Sequence, residues 1–343
     1  MQAGPKDKTI RYSLPLLALV AAFLFPLFVS SPTYLQIMIL LYFYAYLTTS
    51  WNLVGGFAGV LPLGHSAFVG IGAYTSTVLY LHYGLTPWLG MFVGGALAAL
   101  VGVIIGKPTF KMRGAYFALS TIAFAEGIRV MVENINQLGP FTLNGPRGLL
   151  IPLVGDSFIK YQFLRKEPYY YIILIMLLLV LALTYMVSRR RMGYYLAAGG
   201  EEPEAAESLG VNVARCKLMA MAMSCFLTAL AGTFYAQLTL YFYPKGILGL
   251  DLSFELAFIA LIGGRGTIAG PILGAFLLRP LNEFTRIYLG GYLPGLHLVI
   301  FGLILILVMI YQPRGLQEPL SRLYDKVIRK LTTRSHAMGV EKA

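Results

Sequence analysis

The residues best placed to do chemistry are carboxylates in the polar stretch Ser188–Lys217, between two long apolar runs. Glu201, Glu202, Glu204 and Glu207 crowd into seven positions, and Pro203, Ala205, Ala206, Ser208, Leu209 and Gly210 complete the segment. Carboxylate pairs can serve acid–base catalysis, but no Ser/His/Asp or paired-carboxylate constellation accompanies these. The spacing predicts a short helix instead. Acids at its start suit the positive end of the helix dipole, Pro203 suits the first helical position, and Gly210 suits a left-handed stop beyond the end. Two readings stay open from residue type alone: a solvated helical loop, or a docking helix whose small face (Ala205, Ala206) admits a soluble protein partner.

A second group is made of backbone breakers. Gly55, Gly56, Gly59, Pro62 and Gly64 interrupt two apolar runs, and His65 follows them. Such a break frees backbone groups that lipid cannot satisfy, so it belongs where protein or water supplies partners. It reads as a pathway or gate lining, with close helix packing as the alternative. His65 reads as a hydrogen-bonded structural residue rather than a ligand. Gly263 and Gly264 repeat part of the pattern. Leu53–Phe68 and Leu261–Phe276 share five of sixteen aligned residues, a weak sign of an internal repeat.

Ionisable residues inside apolar runs are costly and partnered. Glu126 and Arg129 are three apart, and Arg279 and Glu283 four apart, so each couple shares a helix face. Intramembrane ion pairs are expected there; contact with a zwitterionic substrate is the sharper alternative. Gly106-Lys107-Pro108 lacks the glycine spacing and hydroxyl of a phosphate-binding loop, so ATP-driven work would need a separate subunit. Cys216 and Cys225 lie roughly 13 Å apart if on one helix, too far for a disulfide. No metal-ligand spacing stands out, and neither a cofactor nor a metal is expected.

The surrounding elements explain these groups. The chain has 343 residues, 57% apolar and only 12% charged, with mean hydropathy +0.71. Soluble domains carry about 25% charged residues, so lipid is the matching solvent. Ten runs approach the roughly 20 residues needed to cross a bilayer: Leu14–Val29, Tyr34–Val54, His65–Leu81, Leu85–Gly106, Ala115–Val132, Tyr169–Val187, Leu218–Leu240, Leu248–Gly263, Ile268–Leu289 and Leu293–Tyr311. The expectation is an all-α polytopic membrane protein with about ten transmembrane helices and one short helix on the cytoplasmic side. Residues 1–13 form an N-terminal segment, 14–312 the membrane domain and 313–343 a basic tail. The first run also resembles a signal peptide, which the ten-span pattern does not require.

The net charge of +12 reflects topology rather than nucleic acid, because the basic residues sit mostly between apolar runs. With both termini cytoplasmic, Lys107, Lys111, Arg113, Arg189–Arg191, Arg215, Lys217 and Arg265 fall on the inner side. The short run Leu248–Gly263 must then cross completely. Glu133–Pro168 becomes the longest outer stretch, rich in turns, with short interfacial pieces expected.

Glu204-Ala205-Ala206, three residues, then Gly210 is similar to the EAA---G motif of ABC importer permeases. The longer EPEAAESLGVNVARCK, with Asn52–Thr75, Met112–Arg129 and Leu261–Phe276 in order, resembles the branched-chain amino acid permeases of the LivM type over residues 14–312. The resemblance implies a bacterial inner-membrane subunit without catalytic residues. Its segment Glu201–Gly210 would be the coupling helix for two ATP-binding cassette ATPases. A second homologous permease and an extracytoplasmic substrate-binding protein would complete the importer. Phe141–Leu149 departs from the glycine- and threonine-rich outer loop common in relatives, which leaves urea, short amides and other amino acids beside branched-chain amino acids as cargo. The rival classes are an ATP-independent transporter or channel and a membrane-embedded enzyme.

Overall fold

The computed structural model describes residues 5–29, 31–112 and 114–289, with short pieces between 299 and 319. In chain order the helices are α1 (Pro5–Phe28), α2 (Pro32–Gly55), α3 (His65–Tyr83), α4 (Pro87–Thr109), α5 (Ala115–Asn134) and α6 (Glu167–Arg189). They continue with α7 (Arg191–Glu201), α8 (Pro203–Ser208), α9 (Val213–Thr239), α10 (Pro244–Ile247), α11 (Leu250–Gly263) and α12 (Gly270–Leu289). Nine of the ten expected runs are thus helical among the described residues. Leu293–Tyr311 and the tail 313–343 lie largely outside them.

The chain is an all-α, multi-pass membrane protein. Among the described residues, α2, α4, α5, α6, α9 and the unit Pro244–Gly263 are long and apolar enough to cross a bilayer. The last of these departs from a single helix. Its regular part, α11, has 14 residues, about 21 Å at 1.5 Å per residue, and the turn α10 extends it.

Contacts between loops sort the helix ends into two sets. At one end β3 (Leu149–Leu150) pairs antiparallel with β4 (Tyr241–Phe242), and His82 meets Phe141 edge-on. The two-stranded β1 (Gln137–Leu138) and β2 (Phe141–Thr142) belong to the same loop. At the other end lie the α2–α3 connection, the α4–α5 turn, α7–α8 and the α11–α12 turn. α11 runs from the first set to the second.

α2 forms the centre of the core, with Leu35, Ile39, Tyr46, Leu47, Trp51 and Leu53 buried. Small residues bring α3, α4 and α9 together. A β-carbon at Gly72 would overlap the Ala229 carbonyl, and one at Gly232 the Val69 carbonyl. That reciprocal contact lets two backbones touch, the usual way helices gain packing where lipid supplies no hydrophobic drive. The opposite face of α4, with Leu89, Phe92, Val93, Leu97, Leu100 and Ile104, is exposed. Its spacing makes one apolar stripe, as expected of a surface facing acyl chains.

Candidate functional site

The two glycine breaks come together at one end of the bundle, and Asn52 joins them. α2 ends at Gly55, and the amides of Gly56 and Phe57 both turn back to the Asn52 carbonyl, at 2.9 and 3.0 Å. The Asn52 side chain then bridges to the second break. Its Nδ2 donates to the Thr267 carbonyl at 2.8 Å, and its Oδ1 accepts from the Gly266 amide at 2.9 Å. Gly263 closes α11. The residues after it turn through left-handed Gly264 and Gly266, held by the Thr267 hydroxyl donating to the Gly264 carbonyl at 2.6 Å. Asn52 escaped the sequence reading. Its signal was a lone amide in an apolar run, which must find partners once buried.

From Gly56 to Gly64 the chain runs without regular structure, and side chains satisfy the freed backbone. The Trp51 indole donates to the Pro62 carbonyl at 2.7 Å. The Leu63 amide donates to Thr121 Oγ1 on α5 at 3.0 Å, and Gly64 lies against the Thr121 carbonyl. His65 opens α3 and is fully buried. Ser224 spends its proton on the Ser50 carbonyl at 2.7 Å, so the 2.8 Å contact between His65 Nε2 and Ser224 Oγ needs the Nε2–H tautomer. His65 is therefore a strut between α3 and α9.

The polar segment after α6 holds two helices rather than one. α7 was not foreseen, although Gly193, Leu196 and Gly199 recur at helical spacing and form its buried face. Glu201 ends α7, and Glu202 occupies the N-cap position of α8. Pro203 begins α8, and Gly210 stands beyond it with φ of +85°. Its amide bonds the Glu207 carbonyl at 2.9 Å, and the Val211 amide the Ala206 carbonyl at 3.1 Å. Ala206 is buried, whereas Glu204, Ala205, Glu207 and Gly210 are exposed, and Leu209 is 86% exposed. An acidic, glycine-ended apex with a bare leucine is thus presented outward.

This helical loop touches the first break directly. Gly59 has φ of +69°, and a β-carbon on it would lie 2.9 Å from the Gly200 α-carbon. At this point no side chain separates the α7 backbone from the α2–α3 connection. Beside the contact is a cavity of about 590 Å³, whose lining includes Leu61, Phe110, Phe117, Lys111, Glu204 and Lys217. It places α8, the break and the α4–α5 turn around one space.

Of the two local couples expected inside helices, one forms along its own helix and the other is replaced by a partner from a neighbouring helix. On α5, Arg129 bonds Glu126, with Nε at 3.0 Å from Oε2. It also bonds Glu133, with Nη1 at 2.6 Å from Oε1. Arg279 does not rest on a pairing with Glu283 along its own helix. Its Nη1 donates to Glu255 of α11 at 2.6 Å, and its guanidinium lies 3.8 Å over the Tyr44 ring of α2. Glu283 acts on Arg279 electrostatically. Glu255 was missed because it is 24 residues away, and only packing of α11 on α12 brings it near. The cluster clamps α2, α11 and α12. Arg279→Ala strands a carboxylate at low dielectric, so a loss of about 3–5 kcal/mol is expected, read as a lower unfolding temperature in lipid nanodiscs. Arg279→Met combined with Glu255→Leu should recover most of it.

Comparison with known proteins gives the family. The family described as "Branched-chain amino acid transport system / permease component" matches residues 33–309. The high-affinity branched-chain amino acid transport system permease protein LivM of Escherichia coli is 31% identical, covering 92% of this chain and 78% of its own length. A probable branched-chain amino acid transport permease protein LivM of Methanocaldococcus jannaschii is 23% identical, covering 81% and 92%. A nucleoside ABC transporter permease protein, NupC of Lactococcus lactis, is 28% identical, covering 69% and 76%. No solved structure matches the chain. The chain therefore belongs to the branched-chain amino acid transport system permease family, as a membrane-embedded ABC-importer transport subunit and not an enzyme.

Proposed function

We propose that this permease carries branched-chain amino acids inward by alternating access, driven by two ATP-binding cassette ATPases that dock on the Glu201–Gly210 apex. The observation that carries the reading is the bare backbone contact between Gly200 of α7 and Gly59 of the α2–α3 break. A push on α8 reaches the break through α7 without a compliant side chain between them. The break is tied through Asn52 to the α11–α12 turn, so both glycine interruptions move with the loop. Gly55, Gly56, Gly59, Pro62, Gly64, Gly263 and Gly264 serve as the inner gate, with His65 as a strut beside it. The basic residues Lys107, Lys111, Arg189–Arg191, Arg215 and Lys217 cluster at this end, which supports a reading with this end and both termini in the cytoplasm.

A second, homologous permease supplies the other half of the path, and an extracytoplasmic binding protein delivers cargo to the opposite end. The bilayer is the bacterial inner membrane. The branched-chain amino acid permeases among the relatives support the amino-acid cargo, and the nucleoside permease among them supports a second reading in which a nucleoside is carried. The two separate in proteoliposomes holding the complete importer. Radiolabelled leucine, isoleucine and valine should accumulate with ATP and be displaced by one another but not by uridine or adenosine. Accumulation of the nucleosides instead defeats the amino-acid reading. Uptake of either without ATP defeats the importer mechanism.

A further inference from the structure

The loop from Leu150 to Lys166, at the end opposite the breaks, carries an apolar lobe that no other element covers among the described residues. Phe158 is 68% and Ile159 71% exposed, and Leu150, Leu153, Val154 and Leu164 are exposed beside them. The lobe is built, not loose. Buried Gln162 clamps it from both sides, its Nε2 donating to the Pro152 carbonyl at 3.1 Å and its Oε1 accepting from the Val154 amide at 2.9 Å. Ser157 and Gln162 pair across its neck. Tyr161 is buried beneath it and stacks on Trp88 with ring centroids 4.1 Å apart. Preorganised exposure of six large apolar side chains is unusual on a surface that meets only water.

Two observations identify the occupant. The first is continuity. Trp88, in the first turn of α4, stacks on Phe158 and donates its indole proton to the Phe158 carbonyl at 2.8 Å. The exposed stripe of α4 begins at the next residue, Leu89, and continues through Phe92 and Val93. The lobe therefore extends an acyl-facing surface at the level where tryptophan marks the membrane interface. The second is charge. The segment carries Lys160, Arg165 and Lys166 against the single acid Asp156, and the Asp156 carboxylate accepts from the Leu164 amide at 2.6 Å. Apolar side chains flanked by basic ones are the pattern of a segment lying in the interface, with cationic tips at headgroup level.

We propose that the Leu150–Lys166 lobe is an interfacial anchor whose apolar residues enter the outer leaflet beside α4 and whose Lys160 and Arg165 meet anionic lipid headgroups. It fixes the depth of the α4–α6–α9 end and holds whatever the cargo is. The test uses nitroxide labels on the full chain, with Cys216 and Cys225 replaced by serine, in phosphatidylethanolamine–phosphatidylglycerol vesicles. Labels enter through Ile159→Cys and, separately, Leu164→Cys. Leu89→Cys is the lipid reference and Gln137→Cys the water reference. Collision rates with oxygen and with a water-soluble nickel chelate should place Ile159→Cys and Leu164→Cys with the lipid reference. Lys160→Glu with Arg165→Glu should move both labels toward the water values when phosphatidylglycerol is present. Labels that match Gln137→Cys overturn the proposal. So does nickel protection that arises only after adding the binding protein, which assigns the lobe to a protein partner. Insensitivity to both charge reversals overturns the headgroup contact.

Discussion

Gly210→Arg and Glu204→Lys, each alone, reduce ATP-driven uptake by about 30-fold or more and cut the stimulation of ATP hydrolysis by loaded binding protein in parallel. The magnitude follows from removing a central contact at a protein interface, about 2 kcal/mol or more, at 1.4 kcal/mol per tenfold. Gly210 has φ of +85° with open space around its α-carbon. An arginine there strains the stop after α8, by about 1–2 kcal/mol, and projects a bulky cation from the docking apex. Glu204 is exposed on the first turn of α8, where charge reversal opposes the helix dipole and inverts the charge of the apex. Neither residue packs in the membrane core, so purified yield should stay near that of the parent, and Gly210→Arg should lower the unfolding temperature only by the small amount its backbone strain accounts for. Unchanged ATP-dependent uptake in both variants removes the coupling assignment. Labelling of Leu209→Cys from the extracytoplasmic side in whole cells removes the topology with it.

The second large effect lies at the other side of the same contact. Gly59→Val should abolish uptake while ATP hydrolysis by the assembled complex continues. A β-branched residue at φ of +69° is strained by its backbone alone, and its side chain would have to displace the Gly200 backbone. The α7–break contact opens, so motion at α8 no longer reaches the gate. Gly200→Leu attacks the contact from α7, where a β-carbon would lie 3.2 Å from the Ala58 carbonyl carbon, and should reproduce the phenotype. The Gly210 and Gly59 lesions therefore differ in kind. The first weakens communication with the motor, and the second lets the motor turn without transport. Equal loss of hydrolysis in both sets would show that the break and the apex are not separate stages.

The membrane architecture was legible because lipid imposes a simple rule. Each crossing must satisfy its own backbone, which demands long apolar helices, and such runs are visible residue by residue. Nine expected runs recur as helices, and the short α8 with Pro203 at its start reflects local preferences that need no tertiary partner. Ion pairs along one helix were legible for the same reason, as Glu126 and Arg129 are joined by helical spacing.

What depended on packing could not be read in advance. Glu255 meets Arg279 only because α11 folds back on α12. Asn52 joins two glycine breaks more than 200 residues apart, and Gly59 meets Gly200 only after α7 lies across the connection. By itself the sequence determined the solvent, the helices and a polar helical apex, since periodicity and backbone preference act over a few neighbours. Tertiary structure alone decided which breaks meet and which charges neutralise each other, since hydrogen bonds and close backbone approach depend on distance in space and carry no mark in sequence separation.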